Sequence, residues 1–416
     1  MLQALHSRSI GGLMHHLGVL AKKGAKNFME AFYVGYGHKS IGDCGDATVF
    51  VEGVSMLVAK AIQDWRLYCG QEASTRYIDF ANQRFLNPLG TPEGERILEN
   101  WRRFYLKGLG ILKHELSFMF PRGETDDEKS YQKAINARAF DIMRGFLPAG
   151  ATTNLAWHAN LRQLGDQLDL LRHHPLEEVR DVAEAVESAL SEKFPGSFPR
   201  KRYPASEAYN KQIMHDFTYF APDYVDWFRT KDVSINEPLL RKYRTALEDR
   251  PPKTELPRKI AECGTLQFEF LLDFASFRDI QRHRAIIQQM PLLTTNFEFH
   301  PWYLSQLPEM LRVEAEGVLA TQELGIASLG ASPEISQYYT AMGFQIPNKL
   351  TGDIHALTYL VERRAGNDVH PTLRERAFQI AKALQRELGD YGLILHLDDE
   401  PHRFDIKRGT QDIVLK

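Results

Sequence analysis

One polar segment of the chain, residues 64 to 77, combines groups that could bind a nucleotide. It reads Asp-Trp-Arg-Leu-Tyr-Cys-Gly-Gln-Glu-Ala-Ser-Thr-Arg-Tyr and follows an apolar run. Glu72, Ser74 and Arg76 are spaced by two, so an extended chain points all three to one side. A hydroxyl and a planar guanidinium suit a phosphate, and the carboxylate could accept from a sugar hydroxyl or a ring N–H. The segment alone fits a capped helix end with a surface salt bridge equally well.

A second polar cluster, Arg-His-Arg at residues 282 to 284, follows the apolar run 268–280. Neighbouring side chains on a helix point about 100° apart, so these three are expected to fan outward. A fan of cations suits an extended anion such as a pyrophosphate. The alternative is a cationic helix end that complements the helix dipole, a contribution under about 1 kcal/mol.

Composition restricts the classes of function. The chain has 416 residues, 43% of them hydrophobic and 25% charged, which is typical of a soluble globular protein with two or three domains. A net charge of −3 argues against nucleic acid or a membrane as partner. The three cysteines, Cys44, Cys69 and Cys263, form neither a disulfide framework nor a metal pattern. With no N-terminal targeting pattern and no apolar run of about 18 residues, the sequence predicts a cytoplasmic protein.

Hydrophobic periodicity predicts a helix-rich α+β chain with small antiparallel sheets. Helices are predicted at 13–33, 54–64, 93–118, 126–146, 154–172, 176–193, 237–246, 274–284, 310–329, 333–342, 351–364 and 372–388. Strands are predicted at 48–52, 266–272, 393–397, 404–407 and 412–415. Prolines and little periodicity at 194–204 predict a linker.

The order of these elements recurs in the two halves of the chain. An acidic residue, Cys and Gly at 43–45 and at 262–264 each precede a strand and a helix that ends in an arginine-bearing motif. Later helices carrying Asn160 and Asp353 are each followed by His-Pro and another helix. Divergent duplication of this kind is typical of a fused dimer, in which one composite site can survive.

The motifs resemble those of the flavin-dependent thymidylate synthases. That signature is Arg-His-Arg-x-x-Ser-x-x-x-x-Ser-x-Arg, preceded by a Gly-His-x-Ser/Thr turn. The resemblance covers residues 13–186 and, more faintly, 256–388. It implies two tandem repeats that form a pseudo-dimer, at 1–194 and 256–416, joined by a linker with connecting helices at 195–255.

The signature is divided between the halves. The first half keeps the turn at 37–40 and the end of the signature at 71–76, but has Asp-Trp-Arg at 64–66 and Cys69 at the first serine. The second half keeps Arg-His-Arg and reads Met-Pro-Leu-Leu-Thr at 290–294. The retained parts are complementary, which favours a surviving site.

The resemblance assigns roles residue by residue. The implied nucleotide-binding residues are Gln71, Glu72, Ser74, Arg76, Arg282 and Arg364, with Arg76, Arg282 and Arg364 as the catalytic set. The implied flavin-binding residues are His38, Ser40, Glu72, Asn160, Arg162, Arg282, His283 and Arg284. Arg364 resembles the distal phosphate-binding arginine of the family, and its first-half counterpart is Leu171.

The implied reaction is methylation of uracil at C5 in dUMP or UMP. Methylenetetrahydrofolate is the carbon donor, FAD supplies the hydride and NADPH reduces the flavin. The family is commonly tetrameric, so the double-length chain predicts a homodimer. Cys69 has no basic neighbour in sequence and is interpreted as a packed residue rather than a nucleophile. Two alternatives stay open: a flavin- or nucleotide-binding relative that has lost methyl transfer, and a non-catalytic interaction protein.

Overall fold

The computed structural model describes residues 2–7, 9–24, 39–124, 126–195, 197–198 and 201–398. The chain forms two compact units. Unit 1 comprises residues 1–73 and 153–218, and unit 2 comprises residues 74–152 and 219–416. Unit 2 thus includes a segment that the sequence assigns to the first repeat. The predicted repeat boundaries concern duplication rather than packing and stay a prediction.

The described helices and strands confirm a helix-rich α+β fold with small sheets. The helices are α1 (Leu2–His6), α2 (Leu13–Lys23), α3 (Met56–Gln63), α4 (Pro92–Met119), α5 (Glu128–Met143), α6 (Leu161–Leu171), α7 (Glu177–Lys193), α8 (Pro204–Phe217), α9 (Glu237–Lys242), α10 (Arg244–Glu248), α11 (Phe274–Ile280), α12 (Pro301–Ser305), α13 (Glu309–Ser328), α14 (Pro333–Ser336), α15 (Ile354–Arg364) and α16 (Pro371–Leu388). The strands are β1 (Asp46–Ser55), β2 (Cys69–Glu72), β3 (Thr152–Asn160), β4 (Tyr219–Phe220), β5 (Phe228–Ile235), β6 (Gly264–Asp273), β7 (Ile287–Gln288), β8 (Met290–Pro291) and β9 (Gln345–Asp353).

Three sheets organise the two units. Unit 1 is built on the three-stranded sheet β1-β3-β2, and unit 2 on the four-stranded sheet β5-β6-β9-β7. The β2–β3, β5–β6, β6–β9 and β7–β9 pairs are antiparallel, whereas the two-residue strands β4 and β8 pair in parallel. Apolar side chains of β6 are buried along nearly its whole length, so the core of unit 2 lies against this strand.

The predicted helices at 154–172 and 351–364 are wrong in their first parts, because residues 154–160 form most of β3 and residues 351–353 form the end of β9. In β3 the side chains alternate, with Leu155 and Trp157 buried and Asn154 and His158 exposed. This is the period of a half-buried strand, and it overrides the helix propensity of single residues. The predicted strand at 393–397 has no regular structure, and those at 404–407 and 412–415 lie outside the described residues.

The same succession of elements occurs twice. A six-residue 3₁₀ helix at Lys39–Cys44 precedes β1 and α3, and another at Arg258–Cys263 precedes β6 and α11. Strands β1 and β6 have ten residues each, β3 and β9 nine each, and the following helices α6 and α15 eleven each. The strand-to-helix junctions therefore give a residue-by-residue correspondence between the repeats.

Strand register supports this correspondence independently. Counted from the starts of α3 and α11, Cys69 corresponds to Ile287; counted from the starts of α6 and α15, His158 corresponds to Thr351. Cys69 is paired with His158 across β2–β3, and Ile287 with Thr351 across β7–β9. The two residue counts were made from different helices, and they still assign corresponding residues to each other as strand partners. The His-Pro pairs are less regular, since Pro371 begins α16 whereas α7 begins only at Glu177.

Two equivalent segments contact each other within unit 2, residues 145–150 and 338–343. A bridge joins Pro148 to Ala341, which correspond to one another. The backbone bonds around it are Ala149 N–H to Thr340 O (3.0 Å), Met342 N–H to Leu147 O (2.8 Å), Gly150 N–H to Tyr338 O (2.9 Å) and Gly343 N–H to Gly145 O (2.7 Å). Each bond has a reciprocal bond between the corresponding residues, which is the pattern of a two-fold interface.

Candidate functional site

A group of charged side chains lies where α11 ends in unit 2. Arg282 is largely exposed, and its Nη2 lies 3.6 Å from Oδ1 of Asp279 in the last turn of α11. Burial alone would raise the pKa of Asp279, but the positive charges of Arg144, Arg282 and Arg364 lower it overall. Asp279 is therefore an ionised anchor for the arginines, and the long 3.6 Å contact leaves Arg282 suited to a bound anion.

His283 turns inward from the same helix end. It is buried, and its Nε2 accepts a hydrogen bond from Nε of Arg364 at 2.8 Å. Burial and then the charges of Arg364 and Arg363 lower the pKa of His283 to about 3. The ring is therefore neutral, and because Nε2 accepts, its proton is on Nδ1.

Arg364 connects the end of α15 to this helix end. Its Nη2 donates to the backbone oxygen of Asp279 at 2.8 Å, in addition to its bond to His283. The predicted outward fan is correct for Arg282 but wrong for His283, because α11 stops at Ile280 and the following turn directs the imidazole into the protein. Arg284 is half-buried.

Arg76 and Ser74 lie in another part of unit 2. Ser74 is exposed and precedes the short 3₁₀ helix Thr75–Tyr77. Nη2 of Arg76 contacts Oδ1 of the buried Asp141 at 3.3 Å, while one third of the arginine side chain stays exposed. Asp141 thus positions a guanidinium that still reaches solvent.

Glu72 points into unit 1. Its Oε2 lies 2.8 Å from Nζ of Lys60, which is fully buried, and accepts from Nε2 of Gln63 at 2.8 Å. The expectation that Glu72, Ser74 and Arg76 share one side is wrong, because the extended strand ends at Glu72 and the chain then turns. The contacts of Glu72 tie β2 to α3, and a role in ligand binding stays a prediction.

The other predicted flavin-binding residues of unit 1 lie around the start of α6. Asn160 caps this helix by accepting from the Gln163 N–H at 2.8 Å. Nε of Arg162 lies 2.7 Å from Oδ1 of Asp43, in the 3₁₀ helix that also contains the exposed Ser40. A helix N-terminus beside an arginine favours an anion. His38 lies outside the described residues.

The end of the signature motif is exposed in the first repeat, whereas the corresponding segment of the second repeat is largely buried. Gln71 and Cys69 are exposed on β2, so the expectation of a packed Cys69 is wrong, whereas Cys263 is buried. In the second repeat the corresponding stretch is apolar, and Met290 and Leu293 are buried. Core side chains thus stand where the second repeat would have needed nucleotide-binding groups.

The structure brings Arg282, His283 and Arg364 together through Asp279. It adds partners that the sequence alone did not indicate. One sequence signal could have identified Asp279, since it precedes Arg282 by three residues within the predicted helix 274–284. Asp141 and Lys60 had no such signal, because their partners are remote in sequence.

The first half of the chain matches a known family model. The model describes the thymidylate synthase complementing protein and covers residues 8–196. Residues 8–196 thus resemble a thymidylate synthase complementing domain. The match confirms the resemblance that the signature motifs predict for this part of the chain.

Relatives extend the similarity well beyond this domain. A UPF0159 protein of Chlamydia muridarum (strain MoPn / Nigg) is 25% identical over 86% of this chain and 78% of its own length. A UPF0159 protein of Chlamydia pneumoniae is 24% identical over 88% and 78%, and one of Thermoplasma acidophilum 22% over 86% and 86%. These matches extend beyond residues 8–196, so the similarity to these relatives includes the second half of the chain. Among the described helices, none is long and apolar enough to cross a membrane.

Proposed function

We propose that the protein methylates C5 of a uracil nucleotide, dUMP or UMP, in a flavin-dependent reaction. One observation carries the proposal, namely the complementary loss of signature residues at corresponding positions. Where the first repeat has Ser74 and Arg76, the second has Leu292 and Thr294. Where the second has Arg282 and His283, the first has Asp64 and Trp65. Random decay does not favour loss on opposite sides of one signature.

The residues present fit an anionic dinucleotide cofactor. Arg282 and Arg284 in unit 2, and separately the start of α6 beside Arg162 in unit 1, supply positive groups of the kind that bind pyrophosphate. The neutral ring of His283 supplies an uncharged N–H donor, and the bond from Arg364 fixes that tautomer. Bound FAD would supply the hydride, after reduction by NADPH, and methylenetetrahydrofolate the carbon.

The chain's own residues bind and orient the nucleotide. Arg76, Arg282 and Arg364 provide guanidinium groups for the phosphate, and Ser74 provides a hydroxyl. Each guanidinium is held by a carboxylate or a carbonyl of Asp141 or Asp279, so little conformational entropy is lost on binding. We further propose that the chain is a fused dimer, supported by the reciprocal bonds between 145–150 and 338–343, and that it assembles as a homodimer.

Tritium release from C5-labelled dUMP and UMP, with FAD, methylenetetrahydrofolate and NADPH present, tests the reaction. Arg76→Ala and Arg282→Ala are each expected to lower kcat/KM about 10- to 100-fold, the value of a lost charge-assisted hydrogen bond. Arg312→Ala, on the exposed face of α13, is the matched control and should leave the rate unchanged.

Three outcomes separate the candidate functions. Tritium release sensitive to both variants supports methylation. Flavin absorbance without tritium release identifies a flavoprotein that has lost methyl transfer, and neither signal identifies a non-catalytic relative. Full activity in both arginine variants overturns the residue assignment, and sizing in solution tests the homodimer.

A further inference from the structure

A cavity beside α15 shares none of the predicted site residues. Its volume is about 280 Å³. One face of α15, the segment 250–256 and His396 form its walls. The contributing residues of α15 are His355, Thr358, Tyr359, Glu362 and Arg363. All of these walls belong to unit 2.

A buried ion pair fixes the walls. Both terminal nitrogens of the Arg250 guanidinium donate to the Glu362 carboxylate, and Nη1 also donates to the Thr254 backbone oxygen at 2.6 Å. Nη2 of Arg250 donates to the Ile394 oxygen at 3.0 Å, and the His396 N–H donates to Oε1 of Glu362 at 2.9 Å. Both loop segments are thereby fastened to α15, so the cavity is formed in advance of any ligand.

Thr358 is one of the residues that line this cavity. Its side chain is only 2% exposed, and among the described residues its Oγ1 has no hydrogen-bond partner. A buried hydroxyl without a partner loses the hydrogen bonds that it made to water, and such groups are rare in folded proteins. A ligand that bonds to this hydroxyl would replace the hydrogen bonds to water that the hydroxyl loses on folding.

The remaining walls combine positive charge with an aromatic ring. Lys253 and Arg363 stand against one acidic neighbour, Glu255, while Glu362 is already neutralised by Arg250. Arg363 approaches Asp368 only at 3.9 Å, with both side chains exposed, which is a weak contact. Tyr359 is 47% exposed and offers its ring as a stacking surface.

We propose that this cavity binds a small planar heteroaromatic ligand that carries a carboxylate or a phosphate. Tyr359 contacts the ring, Lys253 and Arg363 bind the anionic group, and Thr358 bonds to a polar atom on the ring. The inference does not rest on the proposed methylation, because none of these residues belongs to that assignment.

Calorimetric titration of the full-length chain tests the cavity with four probes. Nicotinate and UMP combine a ring with a carboxylate or a phosphate, nicotinamide has only the ring, and inorganic phosphate only the anion. Nicotinate or UMP should bind at least tenfold more tightly than the partial probes. Which of the two binds identifies the anionic group.

Two variants assign binding to this cavity. Thr358→Val removes the hydroxyl at nearly constant shape, and Arg363→Gln removes an exposed charge; each should weaken the better probe about tenfold. Thr321→Val and Arg312→Gln, both exposed on α13, are the matched controls and should bind as wild type. Thr358→Val should keep its melting temperature, since no bond between described residues is lost.

The outcomes are distinct from those of the methylation test. Weakening by both variants but not by the controls supports the cavity, whatever the C5 activity. A UMP titration unaffected by Thr358→Val and Arg363→Gln reports the nucleotide site proposed above, and the nicotinate titration then decides. Nicotinate binding that neither variant weakens contradicts the proposal. Absence of binding by nicotinate and UMP at millimolar concentration overturns it as well.

Discussion

In both repeats a hydroxyl–carboxylate hydrogen bond joins the end of a strand to the start of a later helix, but the two groups stand on opposite sides of the contact. In the first, the helix cap Ser55 donates through Oγ to Glu178 Oε2 (2.6 Å), near the start of α7. In the second, the cap Asp273 accepts at Oδ2 from Oγ1 of Thr372 (2.6 Å), near the start of α16. Hydroxyl and carboxylate have changed places between strand end and helix. The two corresponding junctions thus share an interaction, although neither residue is the same.

The second version of this contact carries a larger network. Asp273 also accepts from the Tyr303 hydroxyl at 2.7 Å, and Thr372 bonds to Nδ1 of His370 at 2.9 Å. His370 in turn contacts the Asp141 backbone oxygen at 3.2 Å, and Asp141 holds Arg76. A structural network in unit 2 therefore reaches a predicted nucleotide-binding arginine.

The largest expected effect follows from removing the carboxylate of this network. Asp273→Ala removes the buried carboxylate that accepts from the Tyr303 and Thr372 hydroxyls and also removes a helix cap, a loss of about 3–5 kcal/mol. Ser55→Ala in the first repeat removes a smaller set of bonds and should cost about 1–2 kcal/mol. Urea unfolding of both variants measures the difference.

A double variant that exchanges the hydroxyl and the carboxylate between positions 273 and 372 is the control for the comparison of the two contacts. Asp273→Ser combined with Thr372→Glu recreates in the second repeat the chemistry of the first. The double variant should recover part of the stability lost in Asp273→Ser alone. Equal instability of the single and double variants contradicts the idea that the two contacts are equivalent.

Sequence patterns predict features that lie within short segments, but not the contacts between residues that are distant in sequence. The divided signature and the order of elements were visible because residue types and spacings stay within short segments. Residues 154–160 predict a helix because alanine and leucine favour helices, yet they form most of β3, in which Leu155 and Trp157 alternate with less buried residues. An aspartate directly before an apolar helix is a typical cap, and this could have identified Asp273.

The charged partners could not be predicted in the same way. Lys60 occurs in an otherwise apolar helix, and only the fold brings it against Glu72. Likewise Asp141 and Arg76 are far apart in sequence. Long-range ion pairs depend on packing, which one sequence does not specify. For this reason the residue types of the site were predictable and their anchors were not.

The next effect concerns acid sensitivity in unit 1. Burial and then the charge of Arg180 lower the pKa of His174 from 6.5 to about 3. The unfolded chain binds a proton below pH 6.5 that the folded chain does not, so stability is complete above that pH and falls on acidification. The slope is about 1.4 kcal/mol per pH unit.

His174→Asn should flatten this pH dependence. The amide oxygen can replace Nδ1 as acceptor for the Leu176 N–H, a bond of 3.1 Å, but it does not titrate. Urea midpoints at pH 7, 6 and 5 measure the slope. His215, exposed on α8, gives the matched control His215→Asn, which should leave the slope unchanged. An unaltered slope in His174→Asn contradicts the assignment.

A smaller effect is expected at the helix end of unit 2. Arg364→Gln removes a positive charge that lowers the pKa of His283, so this pKa should rise by roughly one unit from about 3. Burial is the larger cause, and the ring should stay neutral at pH 7. NMR titration of the imidazole measures the shift, with Arg312→Gln as control. If the pKa of His283 stays near 3 in Arg364→Gln, the charge of Arg364 does not contribute to lowering it.

The smallest effect compares two phenylalanines at corresponding strand positions. Phe268 is fully buried on β6 and stacks on Phe228 of the neighbouring β5, whereas Phe50 is 72% exposed on β1, an edge strand of its described sheet. Phe50→Thr should change stability by less than about 0.5 kcal/mol, because little apolar area is returned to water and threonine favours strands. Phe268→Leu should cost about 1–2 kcal/mol. Urea unfolding measures both losses of stability. If Phe50→Thr costs as much as Phe268→Leu, the Phe50 ring is covered by another surface in solution. A urea midpoint that depends on protein concentration would then show that this surface belongs to a second copy of the chain.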